Sequence, residues 1–404
     1  MPVTIFISIA SIFYIVLNRL SSKFIKIWLV EIALVVVIFC YLLFVEAVQE
    51  VPFSVGNFSF YVIRILIDGI LPAYVLSDVA KKSNINISEF VYILFLLIII
   101  ELIFSTMMIF MPNFKNNVFL YVNDYDGQSV LLNEELFFKR GFGIAYTYLA
   151  WFPFAVALIF SFCLFSDVIK SKIILSLLVI STFILIALNA RIGFIPLFFG
   201  LLFYAFFSGI RGAKKIISLA LIIGLTFYVF SFFDAGEKVA DLAEFFSKWV
   251  IEDGFSSLYS QQGSETLKDL SNFQILSNFS FLDFVFGRGD ILVPENGNLY
   301  TDVGYMQILY TGGLLLSFSL YALFILFAKR LIKYVRILRL KGMVPKVFIY
   351  FPFVVCISFL IAHSKLRIFE MNEATRFVLL VISLFMAYSA KSVMLDKLNN
   401  NLKK

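Results

Sequence analysis

Apolar segments recur along the entire chain and constrain its fold more than any other feature. A helix crosses a bilayer core of about 30 Å with roughly 17–25 apolar residues. Eleven segments approach or reach that length, and short polar connectors separate them. We predict membrane-spanning helices near residues 3–17, 27–45, 57–76, 88–111, 144–166, 173–190, 192–208, 216–233, 303–328, 347–363 and 376–390.

The composition agrees with a membrane environment. Of the 404 residues, 61% are hydrophobic and 15% are charged, whereas soluble domains average roughly 45–50% apolar and about 25% charged residues. A water-soluble fold could not bury this excess. Cys40, Cys163 and Cys356 all lie inside apolar segments, as small hydrophobic residues do. We therefore predict one all-α polytopic membrane domain over residues 1–404, with about eleven transmembrane helices.

The basic residues indicate an orientation. Of the 33 Lys and Arg residues, 21 lie in six segments, namely 18–26, 77–87, 167–172, 209–215, 329–346 and the tail from 391. Basic residues accumulate on the cytoplasmic side. The rule predicts a periplasmic N-terminus, a cytoplasmic C-terminus and a basic cytoplasmic loop at 329–346. That loop is interpreted as a topology anchor, with lipid regulation as the alternative.

Two polar segments fall on the opposite, outer side. Residues 112–143 form one predicted periplasmic loop, and residues 234–302 form a larger one. Mixed polar and aromatic stretches in the larger loop predict short helices at the membrane surface.

Several kinds of chemistry have no motif here. The chain contains no GxxxxGK[ST], no HExxH and no paired CxxC, and His363 is its single histidine. These patterns would indicate nucleotide or zinc binding. The net charge of +6 is explained by topology, so no nucleic acid partner, metal or cofactor is predicted.

Charged residues inside the apolar segments are costly and often face a cavity. Arg64 and Asp68 stand four residues apart and predict a mutually neutralising pair on one helix face. Glu31 and Glu101 lie near the middles of their segments. They are either buried and protonated or part of an ion path, and the sequence leaves both interpretations open.

Three arginines stand at the predicted outer surface, against the usual charge bias. Arg191 lies where two apolar segments meet, whereas Arg140 and Arg376 lie near helix N-termini. The helix dipole disfavours cations at N-termini. An anion bound at this surface would explain the set, and snorkelling membrane anchors are the alternative for each residue.

The stretch GRGDILVPENGNLYTDVGYMQILYTGG, residues 287–313, combines glycine-rich turns with polar residues at a helix start. It contributes Arg288, Asp302 and Tyr305. Asp302 is interpreted as an N-cap or as a functional carboxylate at the outer mouth of the membrane. His363, at the end of a later span, is interpreted as a helix C-terminal cap or as a site residue.

At these residues the chain resembles the superfamily of O-antigen polymerases (Wzy-type) and O-antigen ligases. LNARIGFIPLFFGLLFYAF is similar to the family's small-residue-then-arginine step and contributes Arg191. FLDFVFGRGDILVPENGNLYTDVGYMQILYTGGLLL is similar to its glycine turn and helix opening. The ligase branch has histidine and asparagine where Asp302 and Val303 stand, which favours the polymerase branch.

The resemblance implies a membrane-embedded glycosyltransferase of type C in the bacterial inner membrane. It would polymerise undecaprenyl-diphosphate-linked oligosaccharide repeat units on the periplasmic face, without a metal and with a separate chain-length regulator as a possible partner. The implied catalytic residues are Asp302, Arg191 and Arg288. Residues expected to bind the lipid-linked donor and acceptor are Arg376, Arg140, Tyr305, Arg64 and His363.

Two alternative functions stay open at this stage. An O-antigen ligase would transfer the glycan to the lipid A core. A flippase or transporter would carry the lipid-linked oligosaccharide through a passage lined by Arg64, Asp68, Glu31 and Glu101.

Overall fold

A computed structural model describes residues 2–54, 57–111, 113–115, 117, 151–232, 279–289, 304–364 and 372–402. The structure is 87% helix and has no strand over these residues. The predicted all-α class is therefore confirmed for the described chain. A helix satisfies its backbone N–H and C=O groups internally, which a lipid environment requires.

Several of the helices begin at a side-chain cap. At the start of α5, for example, Asn86 and Glu89 form a reciprocal capping box. The elements are α1 (Pro2–Leu17), α2 (Ser21–Val48), α3 (Phe58–Arg64), a π-helical turn (Ile65–Ile70), α4 (Leu71–Lys82), α5 (Ile87–Phe110), α6 (Trp151–Ser166), α7 (Lys172–Asn189), a 3-10 turn (Arg191–Gly193), α8 (Phe194–Phe207), α9 (Gly209–Phe232), α10 (Phe281–Phe286), α11 (Gly304–Leu340), a 3-10 turn (Lys346–Tyr350), α12 (Phe351–Ala362) and α13 (Glu373–Leu402).

Six helices of the described chain are long and apolar enough to cross a membrane: Ser21–Val48, Phe58–Lys82, Ile87–Phe110, Lys172–Asn189, Gly304–Leu340 and Glu373–Ala390. Four apolar helices are shorter: Phe6–Leu17, Trp151–Ser166, Phe194–Phe207 and Lys346–Ala362. The chain therefore has the helices of a multi-pass membrane protein. The predicted count of about eleven spans is not confirmed.

The chain divides into two compact units. The first comprises Met1–Ile85, Gly263–Met343 and Phe359–Lys404. Its core includes a stripe along α2, where Val35, Ile38 and Leu42 are almost fully buried. The spacing of three and four residues puts these side chains on one helix face. Helix α2 packs on α3 and α11, and α13 packs on α4 and α11.

The second unit comprises Asn86–Gln262 and Val344–Ser358. Its core contains an aromatic cluster in which Phe162 makes edge-to-face contacts with Phe90, Phe348 and Phe351 at centroid distances of 5.3–5.8 Å. Such geometry is favourable for aromatic pairs. Helices α6 and α8 approach closely because Gly200 faces Ser161.

The basic segment 329–346 differs from the predicted loop. Helix α11 continues through it as far as Leu340. Leu331, Val335 and Leu338 are buried at helical spacing in this extension. Their apolar contacts stabilise a helix where the density of basic residues predicted a loop. Of the two predicted outer loops, only residues 113–115, 117 and 279–289 are among those that the structure describes.

Candidate functional site

Helix α11 is broken in the first unit. Gly312 has φ −135° and ψ 15°, and Gly313 has φ 63° and ψ −162°, so neither residue is helical. Residues 304–311 and 314–340 are therefore two half-helices. Broken helices within membranes leave backbone groups that need other partners. At this break the carbonyls of Tyr310 and Thr311 accept hydrogen bonds from another part of the chain.

That partner is the Arg288 loop, defined as residues 287–289. The Arg288 N–H donates to the Tyr310 carbonyl and the Gly289 N–H to the Thr311 carbonyl, each at 2.8 Å. The loop follows α10, whose Ser280 and Asp283 form a capping box. The sequence motif GRG thus docks on the later TGG motif through backbone contacts.

Glycine is required on both sides of this contact. A Cβ atom on Gly287 would lie 2.5 Å from the Gly312 N and from the Thr311 carbonyl oxygen. A Cβ atom on Gly313 would overlap the Val285 carbonyl oxygen. Both glycines also have positive φ, 77° and 63°, which side chains disfavour. The glycine pattern of the sequence is therefore explained by close backbone packing.

The C-terminal half of α2 holds this junction in place. The Tyr41 hydroxyl lies 3.0 Å from the Phe286 carbonyl and 2.9 Å from the Gly312 carbonyl. The hydroxyl therefore links the end of α10 to the break in α11. Gln49 Nε2 donates to the Gly287 carbonyl at 3.5 Å. Sequence reasoning missed Tyr41, because nothing local marks it among the apolar residues of α2.

The Arg288 side chain stands between an acid and two aromatic rings. Its guanidinium lies 4.9 Å from the Phe279 ring centroid and 5.7 Å from that of Tyr310. Arg288 NH2 is 3.4 Å from Asp283 Oδ2, and 34% of the arginine side chain is exposed. These contacts orient the guanidinium, and part of the arginine side chain is exposed.

Asp283 is engaged mainly by its own helix cap. The Ser280 N–H donates to Asp283 Oδ2 at 3.0 Å. That hydrogen bond, with a smaller contribution from the Arg288 charge, lowers the pKa of the Asp283 carboxyl. The carboxylate thus serves chiefly to cap α10 and secondarily to orient Arg288.

Arg64 and Arg376, which the sequence places far apart, meet at Asp68. Arg64 Nε lies 2.8 Å from Asp68 Oδ2, as the four-residue spacing predicted, and Arg376 NH2 lies 4.0 Å from the same oxygen. Ser8 donates to Asp68 Oδ1 at 2.9 Å. Arg376 also lies 3.4 Å from Glu373. The four charges cancel formally, which weakens the attraction of this cluster for an anion.

Asp68 lies on the π-helical turn between α3 and α4. Such turns are rare and occur often at functional sites. Here the turn brings Asp68 to Ser8 of α1 and to Arg376 of α13. The cluster therefore joins α1 and α13 to the π-helical turn.

Tyr305 and His363 are brought together, although 58 positions separate them in the sequence. Their ring centroids are 6.4 Å apart, and Tyr321 lies 5.6 Å from the histidine on the same unit. His363 is 3% exposed. It lies in the turn directly after Ala362, where α12 ends, in agreement with its predicted position at a helix C-terminus.

Glu31 has a strong partner that the sequence did not indicate. Arg330 of α11 forms a two-pronged ion pair with it, in which NH2 lies 2.7 Å from Oε2. The same guanidinium stacks 4.8 Å from the Trp28 ring. The Glu31 side chain is 2% exposed. The sequence left Glu31 either buried and protonated or part of an ion path, and neither interpretation included an ion pair. The pair with Arg330 offsets the cost of burying both charges.

A second buried carboxylate, Glu46, was also missed. It accepts hydrogen bonds from the Ser59 N–H at 3.2 Å, the Ser59 hydroxyl at 2.8 Å and Asn57 Nδ2 at 3.3 Å. Glu46 therefore stabilises the N-terminus of α3. Gly289 packs on its backbone, with the Cβ position 3.1 Å from Glu46 Cα. The only signal in the sequence is an acid near the end of an apolar segment.

The remaining predicted site residues are less defined. Arg191 begins the 3-10 turn Arg191–Gly193 in the second unit, between α7 and α8, which confirms a step between adjacent helices. Asp302 and Arg140 lie outside the described residues. Among the residues that the structure describes, no group of three His, Cys, Asp or Glu side chains could hold a metal ion.

No model of a known protein family matches the chain, and no curated protein or solved structure matches it.

Proposed function

We propose that the chain polymerises undecaprenyl-diphosphate-linked oligosaccharide repeat units at the periplasmic face of the bacterial inner membrane. The observation that carries the proposal is Arg288, a partly exposed arginine fixed between two aromatic rings at a break in a membrane helix. One of the two segments that carry the resemblance to Wzy-type polymerases, residues 281–316, contains both glycine motifs of this junction.

Arginine suits the leaving group of such a reaction. The planar guanidinium is permanently charged and forms paired hydrogen bonds with phosphate oxygens. In the proposed reaction, an acceptor sugar hydroxyl attacks the anomeric carbon of the donor. The bond from that carbon to the diphosphate oxygen breaks, and the diphosphate keeps the electron pair. Arg288 would stabilise the charge that develops there. Arg191, in the second unit, stays a proposed catalytic residue on the resemblance alone.

The proton of the acceptor hydroxyl needs a base, and Asp302 is the proposed residue. Arg64, Arg376, Arg140, Tyr305 and His363 are proposed contacts to the lipid-linked substrates. Because Asp68 and Glu373 offset the charge of Arg64 and Arg376, we assign these two arginines to substrate positioning. The leaving diphosphate is assigned to Arg288.

A transporter for the lipid-linked oligosaccharide is the second candidate. Broken helices with binding sites at the break occur in many transporters, and α11 has such a break. Against this candidate, Glu31 and Asp68 are both engaged by arginines. If these acids lined a passage for the substrate, both ion pairs would have to break during transport.

A lipopolysaccharide gel of a deletion strain, with and without the wild-type gene, separates these functions. A polymerase predicts a core band with one repeat, restored to a ladder by the gene. A bare core contradicts the proposal. Lipid-linked oligosaccharide stranded on the cytoplasmic side would then indicate a transporter, and its presence on the periplasmic side a ligase.

A further inference from the structure

We propose that α11 carries a binding site for anionic phospholipids near its C-terminal end. The site is its basic face, defined as Lys329, Lys333, Arg336 and Arg339. All four side chains are exposed. The inference concerns the membrane around the protein and does not depend on the polymerase proposal.

The helix arranges these cations in a row. Steps of four, three and three residues keep them within an arc of about 120°, and the row is about 15 Å long. Leu331, Val335 and Leu338, on the other side of the helix, are buried in the first unit. The fold therefore fixes the helix by one face and presents the basic face outward.

No acidic residue stands on this part of the chain to neutralise the row. The sequence from 304 to 364 contains neither Asp nor Glu. None of the four cations forms an ion pair within the described residues, whereas the adjacent Arg330 is paired with Glu31. Arg330 thus anchors the helix, and its neighbours keep their charge for an external anion.

The position of the row identifies the partner as lipid. The stretch from 304 to 328 directly precedes it and contains no charged residue. It has the roughly 25 residues that suffice to cross a bilayer core, so the first cation comes where a membrane helix reaches the headgroups. Anionic headgroups attract each nearby Lys or Arg.

The test uses the purified full-length protein and measures bound phosphatidylglycerol by native mass spectrometry during a titration. Phosphatidylcholine, whose zwitterionic headgroup has no net charge, serves as the comparison lipid. The variant replaces all four residues of the basic face with Gln. Its matched control replaces four lysines from the other predicted basic connectors (77–87, 167–172 and 209–215) with Gln, namely Lys81, Lys170, Lys172 and Lys214.

We expect the basic-face variant to bind phosphatidylglycerol at least about tenfold more weakly, and the control to change by less than about twofold. Phosphatidylcholine should bind weakly to every variant. The Lys329→Arg/Lys333→Arg variant, which keeps the charge, should bind as the wild type does. If the fourfold variant does not fold, phosphatidylglycerol binding is compared between the Lys329→Gln/Lys333→Gln variant and the charge-retaining variant. Binding should then be weaker in the variant that has lost the two charges.

Wild-type binding in the basic-face variant would overturn the proposal. Equal losses in the variant and the control would also overturn it, because charge at any connector would then suffice. Equal binding of phosphatidylglycerol and phosphatidylcholine by the wild type would also overturn the proposal.

Discussion

Tyr41 lies where α2, the Arg288 loop and the break in α11 meet. Its hydroxyl is within hydrogen-bond distance of the Phe286 and Gly312 carbonyls. Tyr41→Phe removes only that hydroxyl. Because a hydrogen bond contributes about 1 kcal/mol, we expect the amides of Arg288 and Gly289 to exchange about five- to tenfold faster in hydrogen-exchange measurements.

The matched control is Tyr92→Phe, at an exposed tyrosine of α5, which should leave those two amides unchanged. Equal exchange in the wild type and Tyr41→Phe would show that Tyr41 does not hold the junction. This readout is independent of any enzymatic activity.

The Glu31–Arg330 pair makes a prediction about stability. The glutamate side chain is 2% exposed, so Arg330→Gln leaves a buried carboxylate without its charge partner. Loss of one partner of a buried pair costs about 3–5 kcal/mol, which thermal unfolding in detergent would detect. The double variant Glu31→Gln/Arg330→Gln should recover part of that loss.

The control is Lys170→Gln, which removes a pair with Asp167 in which the lysine side chain is 74% exposed. It should cost less than about 1 kcal/mol. A loss no larger in Arg330→Gln than in Lys170→Gln would contradict a structural role for the buried pair.

Residue-level interpretation of the sequence succeeded where partners are local. Arg64 and Asp68, four residues apart, form the predicted pair. Glu31 and Arg330 are 299 positions apart, so no local spacing indicates their contact. Arg376 was predicted at a helix start, but its approach to Asp68 depends on the packing of α13 beside the π-helical turn.

At the scale of elements, the break in α11 joins the two glycine motifs. Gly313→Ala places a Cβ atom against the Val285 carbonyl. It also puts alanine at φ 63° and ψ −162°, a region used almost only by glycine that costs about 1–3 kcal/mol. We expect a loss of about 2 kcal/mol or more in stability. Amide exchange in the Arg288 loop should also rise.

Gly224→Ala is the control for this substitution. Gly224 lies within α9 and would have nothing within 4 Å of its Cβ, so alanine should be neutral or slightly stabilising there. Similar stability of Gly313→Ala and the wild type would refute the close docking of the two motifs.

The sequence indicated the glycine-rich stretch as important without predicting its geometry. An apolar segment with two glycines is typical of one continuous helix, so the break at Gly312 and Gly313 was not predicted. Conversely, the charge density at 329–346 suggested a loop. Buried Leu331, Val335 and Leu338 explain why it is helical as far as Leu340.

At the scale of the whole molecule, the apolar segments located the helices well. A helix occupies the described part of each predicted span, yet six are long and apolar enough for a full crossing. Helix α8, with 14 residues, is about 21 Å long, which is less than the thickness of the bilayer core. Hydropathy alone does not distinguish such a helix from a crossing one.

The proposed polymerisation is the central claim, and Arg288 is the residue on which it depends most. In a deletion strain complemented with Arg288→Ala, the diphosphate would lose its main proposed partner. Arg288→Lys keeps the charge without the planar fork and should restore polymer only in part. The control is Arg19→Asn, because Arg19 is exposed and has φ 51°, which asparagine tolerates.

The most direct measurement is therefore a lipopolysaccharide gel of the deletion strain complemented with the wild type, Arg288→Ala or Arg19→Asn, at equal protein abundance. We predict a full ladder for the wild type and for Arg19→Asn, and a core band with a single repeat for Arg288→Ala. A full ladder with Arg288→Ala would contradict the assignment of Arg288 to the reaction.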